Sequence, residues 1–257
     1  MTFETIIFDK GADRVATITL NRPEKMNAFN QRMLDEMRAA WSMVREDDEV
    51  CAVVLRAAPG RAFCTGVDVV TEIDLFPNDP FRERCPGEAL GPKSNLVWKP
   101  VIVAVHGQCA GGAFYFLNES DVIICSEDAQ FFDPHVTFGK VPACEPIGLS
   151  RRMPYGEIMR MILMGNGERF GAETALRVNL VSEVVANDRL AARAQQIAAL
   201  IASRPSTATQ GAVRAMWESL DLPYSAAVRG SYKYTQVGNA VAALDRTTVT
   251  KEPYVVR

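Results

Sequence analysis

Apolar positions along the first third of the chain alternate between two periods. Residues 6–9 and 15–20 carry β-branched side chains on either side of Lys10-Gly-Ala-Asp13, which predicts a hairpin. Asn30 then precedes residues 31–45, where Met33, Leu34, Met37, Trp41 and Val44 recur at helical spacing, so a capped helix with that face in the core is expected. Val53-Val-Leu-Arg56 reads as a buried strand, and residues 57–68, with Pro59, Gly60 and Gly66, as a loop. The pattern repeats further on. Val101-Ile-Val-Ala-Val105 predicts a second buried strand, His106-Gly-Gln-Cys-Ala-Gly-Gly112 a turn, and the residues up to Ser120 a short helix. Residues 122–125 and 130–132 are further strands, so the class is α/β with parallel pairing. From about Glu145 the chain reads as nearly all helix, with helices over 190–202, 208–220 and 226–237 parted by Arg204-Pro205 and Pro223.

Composition narrows the class of function. The 257 residues are 48% hydrophobic and 23% charged, enough apolar material for one large core or a core with a small appendage. The formal charge of −3 comes with no basic block, which argues against a sequence-independent nucleic-acid binder. No apolar run approaches the roughly 20 residues that span a bilayer. The first ten residues lack a basic segment and run into a strand pattern, so no signal peptide is expected and the expected compartment is the cytoplasm. Cys51, Cys64, Cys85, Cys109, Cys125 and Cys144 form no paired ligand motif, so they read as free, mostly packed thiols with no metal site. Residues 76–92 hold Pro77, Pro80, Pro86, Pro92, Gly87 and Gly91, and are expected to be the most mobile part of the chain, a lid or a substrate-facing loop.

Two glycine turns carry the candidate chemistry: Gly60-Arg-Ala-Phe-Cys-Thr-Gly-Val-Asp68 and the turn ending at Gly112. Glycines let a backbone approach a ligand with its N–H groups unblocked, and two such donors converging on one carbonyl oxygen stabilise charge that develops there. The alternative is a pair of tight strand-to-helix turns. Neither turn has the spacing of a dinucleotide or nucleoside-triphosphate loop.

Five blocks, Asn21-Arg-Pro-Glu-Lys-Met-Asn-Ala28, Arg61-Ala-Phe-Cys-Thr-Gly-Val-Asp68, the stretch from Pro100 to Gly112, Asp121-Val-Ile-Ile-Cys-Ser-Glu-Asp-Ala-Gln-Phe131 and the stretch from Gly171 to Val185, together resemble the crotonase superfamily, that of enoyl-CoA hydratases and isomerases. The resemblance covers most of residues 5–205. It implies a stacked right-handed ββα superhelix over residues 1–200 and a helical region over 201–257 that forms trimers or hexamers. It also implies an acyl-CoA thioester as substrate, with no further cofactor because coenzyme A arrives as part of that substrate. By the same resemblance the oxyanion hole falls on the backbone N–H groups of Val67 and Gly112. Coenzyme A contacts fall on Arg22, Lys25, Met26, Ala28, Ala62, Thr65 and Asp68.

Hydratases of that superfamily use two glutamates, and at the matching positions this chain has Tyr115 and His135. An imidazole exchanges protons near neutrality, whereas a phenol is normally a donor, so His135 is expected as base and Tyr115 as hydrogen-bond donor. Glu145 is the candidate to orient the imidazole, or else a helix-start acid; Asp133 and Glu119 are lesser carboxylate candidates, and His106 is expected to be structural. Val69, Phe76 and Phe138 are candidate walls for the acyl group. Three functions follow: an enolate-stabilising acyl-CoA enzyme, a carbon–carbon bond hydrolase of retro-Claisen type or decarboxylase using His135, Tyr115 and Glu145, and a non-catalytic acyl-CoA binder. The last residues, 247–257, differ from the longer basic tail of many relatives, which leaves any tail contact with coenzyme A open.

Overall fold

The computed structural model describes residues 2–70 and 85–241, with residues 254 and 256. The chain divides into two compact units, Met1–Arg204 and Pro205–Arg257. The first opens with an antiparallel hairpin of β1 (Ile6–Lys10) and β2 (Val15–Leu20), where Gly11 donates its N–H to the Val15 carbonyl at 2.9 Å. Helix α1 (Gln31–Glu46) begins at Asn30, whose side chain accepts the Met33 N–H, and it buries Met33, Leu34, Met37, Trp41 and Val44 as the spacing requires.

A unit of two strands and a helix then recurs. Strand β3 (Ala52–Ala57) is followed by the short β4 (Ala62–Cys64) and α2 (Gly87–Leu90). Strand β5 (Val101–Val105) is followed by β6 (Gln108–Ala110) and α3 (Phe114–Asn118), and β7 (Val122–Ser126) by β8 (Gln130–Phe132) and α4 (Cys144–Leu149). Next come α5 (Tyr155–Met164), β9 (Phe170–Gly171), α6 (Ala172–Arg177), β10 (Glu183–Val185) and α7 (Leu190–Ala202). Each repeat contributes its first strand to one sheet and its second strand to another. The larger sheet has the order β1-β2-β3-β5-β7-β10, all parallel beyond the hairpin; the smaller has the order β4-β6-β8-β9.

Both faces of the larger sheet are covered, which is why β3 and β5 are apolar without alternation. Val53, Leu55, Val101, Val103 and Val105 join α1 and the smaller sheet in the main core. Val54, Ile102, Ala104 and Ile124 face the other way, onto a stripe of Leu190, Ala194, Ala198 and Ala202 on α7. A helix that presents alanine every fourth residue lies flat on a sheet, because nothing on that face holds it off.

The structure corrects several details of the sequence reading. The segment after Glu145 contains β9 and β10, and β10 extends the larger sheet by pairing parallel with β7. The expected loop 57–68 contains β4, and the expected turn 106–112 contains β6. Of the expected lid, residues 76–84, Phe76 among them, lie outside the described residues. The described remainder forms α2, with Ala89 and Leu90 buried and the Leu90 carbonyl accepting the Trp41 indole N–H at 3.0 Å. All six cysteines are free; Cys51, Cys64, Cys109 and Cys125 are buried, while Cys85 is half-buried and Cys144 exposed.

The second unit holds α8 (Ser206–Ser219) and α9 (Tyr224–Val241). Across it the Tyr234 hydroxyl donates to Glu218 at 2.6 Å. Most of residues 242–257 lie outside the described residues. No helix among the described residues is long and apolar enough to cross a membrane.

Candidate active site

Sheet register brings three segments of the chain to one edge. Strands β4, β6 and β8 are parallel neighbours, with Cys64 opposite Cys109 and Ala110 opposite Phe132. Adjacent strands lie about 4.8 Å apart, so the residues leaving their carboxyl ends must gather side by side. Those residues are Thr65-Gly66-Val67, Gly111-Gly112 and Asp133-Pro134-His135.

The first two turns touch through glycine. A methyl group on Gly66, where φ is +86°, would lie 2.9 Å from the Gly112 nitrogen and 3.1 Å from the Ala110 carbonyl oxygen. One on Gly112 would lie 2.8 Å from two ring carbons of buried Phe29. Only hydrogen fits at either position. Phe29 also orients the backbone of the first turn. It donates its N–H to the Gly66 carbonyl and accepts the Asp68 N–H, both at 2.8 Å. In such a parallel bridge the N–H of the intervening residue, Val67, points away from Phe29. The N–H groups of Val67 and Gly112 have no acceptor among the described residues. Two unengaged donors on abutting turns can serve one acceptor between them.

The third turn supplies a histidine. Asp133 is fully buried; its Oδ1 accepts the backbone N–H of His135 at 2.9 Å and lies 2.7 Å from the ring Nδ1, a hydrogen-bond distance. Its Oδ2 is buried with no hydrogen-bond partner among the described residues. The imidazole stands beside the second glycine turn, since a methyl group on Gly111 would lie 3.4 Å from His135 Cε1. On its far side, Nε2 is 3.9 Å from Oε1 of Glu145, a buried residue in the first turn of α4. The hydrogen bond from Asp133 raises the pKa of His135 against the opposing effect of burial, and the charges of Asp133 and Glu145 add to the rise. The ring therefore carries more imidazolium at neutral pH than a free histidine.

Tyr115, from α3, is half-buried under α2, with its ring against Gly87. Burial, and secondarily the charge of Glu145, hold its hydroxyl protonated at any ordinary pH. The sequence reading made Glu145 the candidate to orient the imidazole. In the structure the carboxylate within hydrogen-bond distance of the ring is that of Asp133, and Glu145 stands beyond it. The signal that could have found Asp133 is its place two residues before the histidine. There an aspartate oxygen bonds the backbone N–H ahead of it and comes within reach of the ring.

The early turn is tied to the first glycine turn. Arg22 Nη2 pairs with Asp68 Oδ2 at 2.9 Å and Nη1 donates to the Ala28 carbonyl at 2.5 Å, so these three expected coenzyme A contacts bind one another. Sequence reasoning missed Asn27. This buried residue in left-handed backbone accepts the Arg22 N–H and donates to the carbonyl of Ala62, clamping the early turn to β4. Met26 and Thr65 are half-buried and Lys25 is exposed. Glu119 is bound to Ser94, and burial lowers the pKa of His106, which lies at the end of β5. Val69 and Phe138 are exposed, at 82% and 69%. Among the described residues no three His, Cys, Asp or Glu side chains gather in a metal-ligating group.

The family model for enoyl-CoA hydratase/isomerase matches residues 10–237. The chain belongs to the enoyl-CoA hydratase/isomerase family. It is 32% identical over 216 residues to (E)-benzylidenesuccinyl-CoA hydratase of Thauera aromatica, covering 82% of each chain. It is also 32% identical over 199 residues to 1,2-epoxyphenylacetyl-CoA isomerase of Escherichia coli, covering 75% of this chain and 74% of that one. The crystal structure of an enoyl-CoA hydratase/isomerase from Mycobacterium paratuberculosis superposes with a TM-score of 0.84 at 35% identity, over 96% of this chain and 93% of that one. The ββα repeats and paired sheets are therefore the crotonase fold of this family.

Proposed function

We propose that this family member binds an acyl-CoA thioester, holds the thioester oxygen between the N–H groups of Val67 and Gly112, and moves a proton at the adjacent carbons through His135. The observation that carries this reading is the meeting of the two glycine turns beside the imidazole: a methyl group on Gly66 would touch the Gly112 nitrogen, and one on Gly111 would touch His135. Negative charge that develops on the thioester oxygen in an enolate is stabilised by donors already in position, a contribution worth about 3–4 kcal/mol for a single donor. His135 exchanges the proton, and Tyr115, held neutral, acts as a donor. The CoA thioesters named in the two relatives, one hydrated and one isomerised, agree with this substrate class.

The gap between His135 and Glu145 favours a reaction that uses water. At 3.9 Å the two groups do not bond each other directly, yet both can hydrogen-bond one hydroxyl placed between them. Addition of water to an enoyl thioester is the first reading. Hydrolysis of a carbon–carbon bond beside a ketone uses the same water and is the second.

The test is a mass-spectrometric product screen of the purified protein against enoyl, cyclic β-keto and malonyl-type CoA thioesters. A gain of one water by an enoyl thioester supports hydration, and ring opening of the cyclic ketone supports the second reading. An unchanged panel with measurable binding would overturn catalysis and leave an acyl-CoA binder.

A further inference from the structure

Asp133 spends one oxygen on two donors of the same residue, the backbone N–H of His135 at 2.9 Å and the ring Nδ1–H at 2.7 Å. Two bonds to one atom fix both the position of the histidine and the rotation of its ring. They also select the tautomer. With Nδ1–H committed to a carboxylate, the neutral ring presents Nε2 as a bare lone pair, whereas a free histidine prefers its proton on Nε2. That lone pair lies on the side of Glu145, 3.9 Å away. Among the described residues, a fully buried carboxylate whose other oxygen has no partner is offset by the two nitrogens of His135, its backbone N–H and its ring.

We propose that Asp133 is the positioning residue of the site, holding His135 in the Nδ1–H tautomer so that Nε2 and Glu145 face each other as the pair that handles the proton. The inference deepens the acyl-CoA reading, and rests on it for the identity of the chemistry. The groups facing the imidazole are Asp133 on its own turn, Glu145 from α4 and Lys140 further along the chain; Tyr115 from α3 faces Glu145. Of these only Asp133 bonds the ring directly.

The chain has two histidines, so its imidazole resonances can be assigned by the loss of one set in His135→Gln. Ring nitrogen-15 spectra of the full-length protein, without substrate, read tautomer and titration together. The expected result is an unprotonated Nε2 in the neutral form and a fall of about one pH unit or more in the His135 midpoint in Asp133→Asn. Asp133→Ala serves as the second variant, and thermal unfolding checks that each is folded. An Nε2–H tautomer in the parent protein, or a midpoint that stays put in both folded variants, would overturn the assignment. With any thioester that the product screen finds turned over, Asp133→Asn should lower kcat at least about 100-fold while Kd changes less than about threefold. If no thioester reacts, the catalytic part of the acyl-CoA reading fails while the spectra still decide the role of Asp133.

Discussion

A methyl group at position 66 should damage stability and function by separate routes, and both can be worked from the structure. The backbone there has φ of +86°, a region that costs a residue with a side chain about 1–2 kcal/mol. The added carbon would also lie 2.9 Å from the Gly112 nitrogen and 3.1 Å from the Ala110 oxygen. Both are backbone atoms, one at the end of β6 and one in the turn that leaves it, so relief requires that backbone to move, and overpacking of this kind costs roughly 1–3 kcal/mol. The sum for Gly66→Ala is about 2–5 kcal/mol, which lowers Tm by roughly 4–20 °C in a chain of this size. Gly139→Ala is the control. Its φ is +69° and nothing lies within 4 Å of the added methyl, so it carries only the backbone cost, about 1–2 kcal/mol. Thermal unfolding of the two variants side by side isolates the close approach of the turns. Because that approach sets the spacing of the Val67 and Gly112 donors, Gly66→Ala should also lose about 100-fold or more in turnover, while Gly139→Ala should lose little. A Gly66→Ala protein as stable as Gly139→Ala and as active as the parent would refute the reasoning.

Two further outcomes depend on pH. Glu36 accepts from the N–H groups of Glu4 and Thr5, the Thr5 hydroxyl and Arg32; burial raises its pKa, but these donors outweigh it and the net shift is downward. A carboxyl depressed by folding contributes stability above its unfolded value, near 4.5, and loses it as pH falls through the lower folded value. Glu36→Gln should therefore cost about 1–3 kcal/mol at pH 7 in urea unfolding, a difference that shrinks on acidification; a gap that is the same at pH 3 and pH 7 would contradict it. His135 has the opposite sign. Its folded pKa is raised by Asp133, so its contribution is complete below the unfolded value near 6.5 and fades as pH rises through the folded one. His135→Gln should thus lose more stability relative to the parent at pH 6 than at pH 9, and the reverse order would refute the charge pairing.

The parts of the fold readable from sequence are those whose signal is local. The β1–β2 hairpin, the Asn30 cap and the buried strands β3, β5 and β7 each announce themselves within about a dozen residues. Strands β4, β6 and β10 are three residues each, too short for any period to show. They are strands because of what lies beside them: Glu183, Val184 and Val185 pair with Ile124, Cys125 and Ser126, almost sixty residues earlier in the chain. The site depends on these short strands more than on the long ones. It is the smaller sheet, β4 beside β6 beside β8, that aligns the three turns, and of these strands only β8 is legible in the sequence pattern, so two thirds of the scaffold of the candidate chemistry shows only in the pairing.

Within the site the same division separates what was seen from what was missed. The two glycine turns and His135 came from motif positions, which a sequence carries explicitly. The contact between Gly66 and Gly112 comes from strand register and the packing of Phe29, which it does not. On the logic of a carboxylate that orients an imidazole, the sequence points to Glu145 first and to Asp133, beside a proline, only as a lesser candidate. The distances reverse that weighting. At 2.7 Å Asp133 Oδ1 bonds the ring nitrogen, whereas at 3.9 Å Glu145 leaves a gap. The local turn is what makes the nearer carboxylate useful: the bond from the His135 backbone N–H to Asp133 holds the oxygen in place, so little further ordering is needed for the contact with the ring. A turn-forming aspartate can thus be both the reason the backbone bends and the group that sets the state of the histidine it presents.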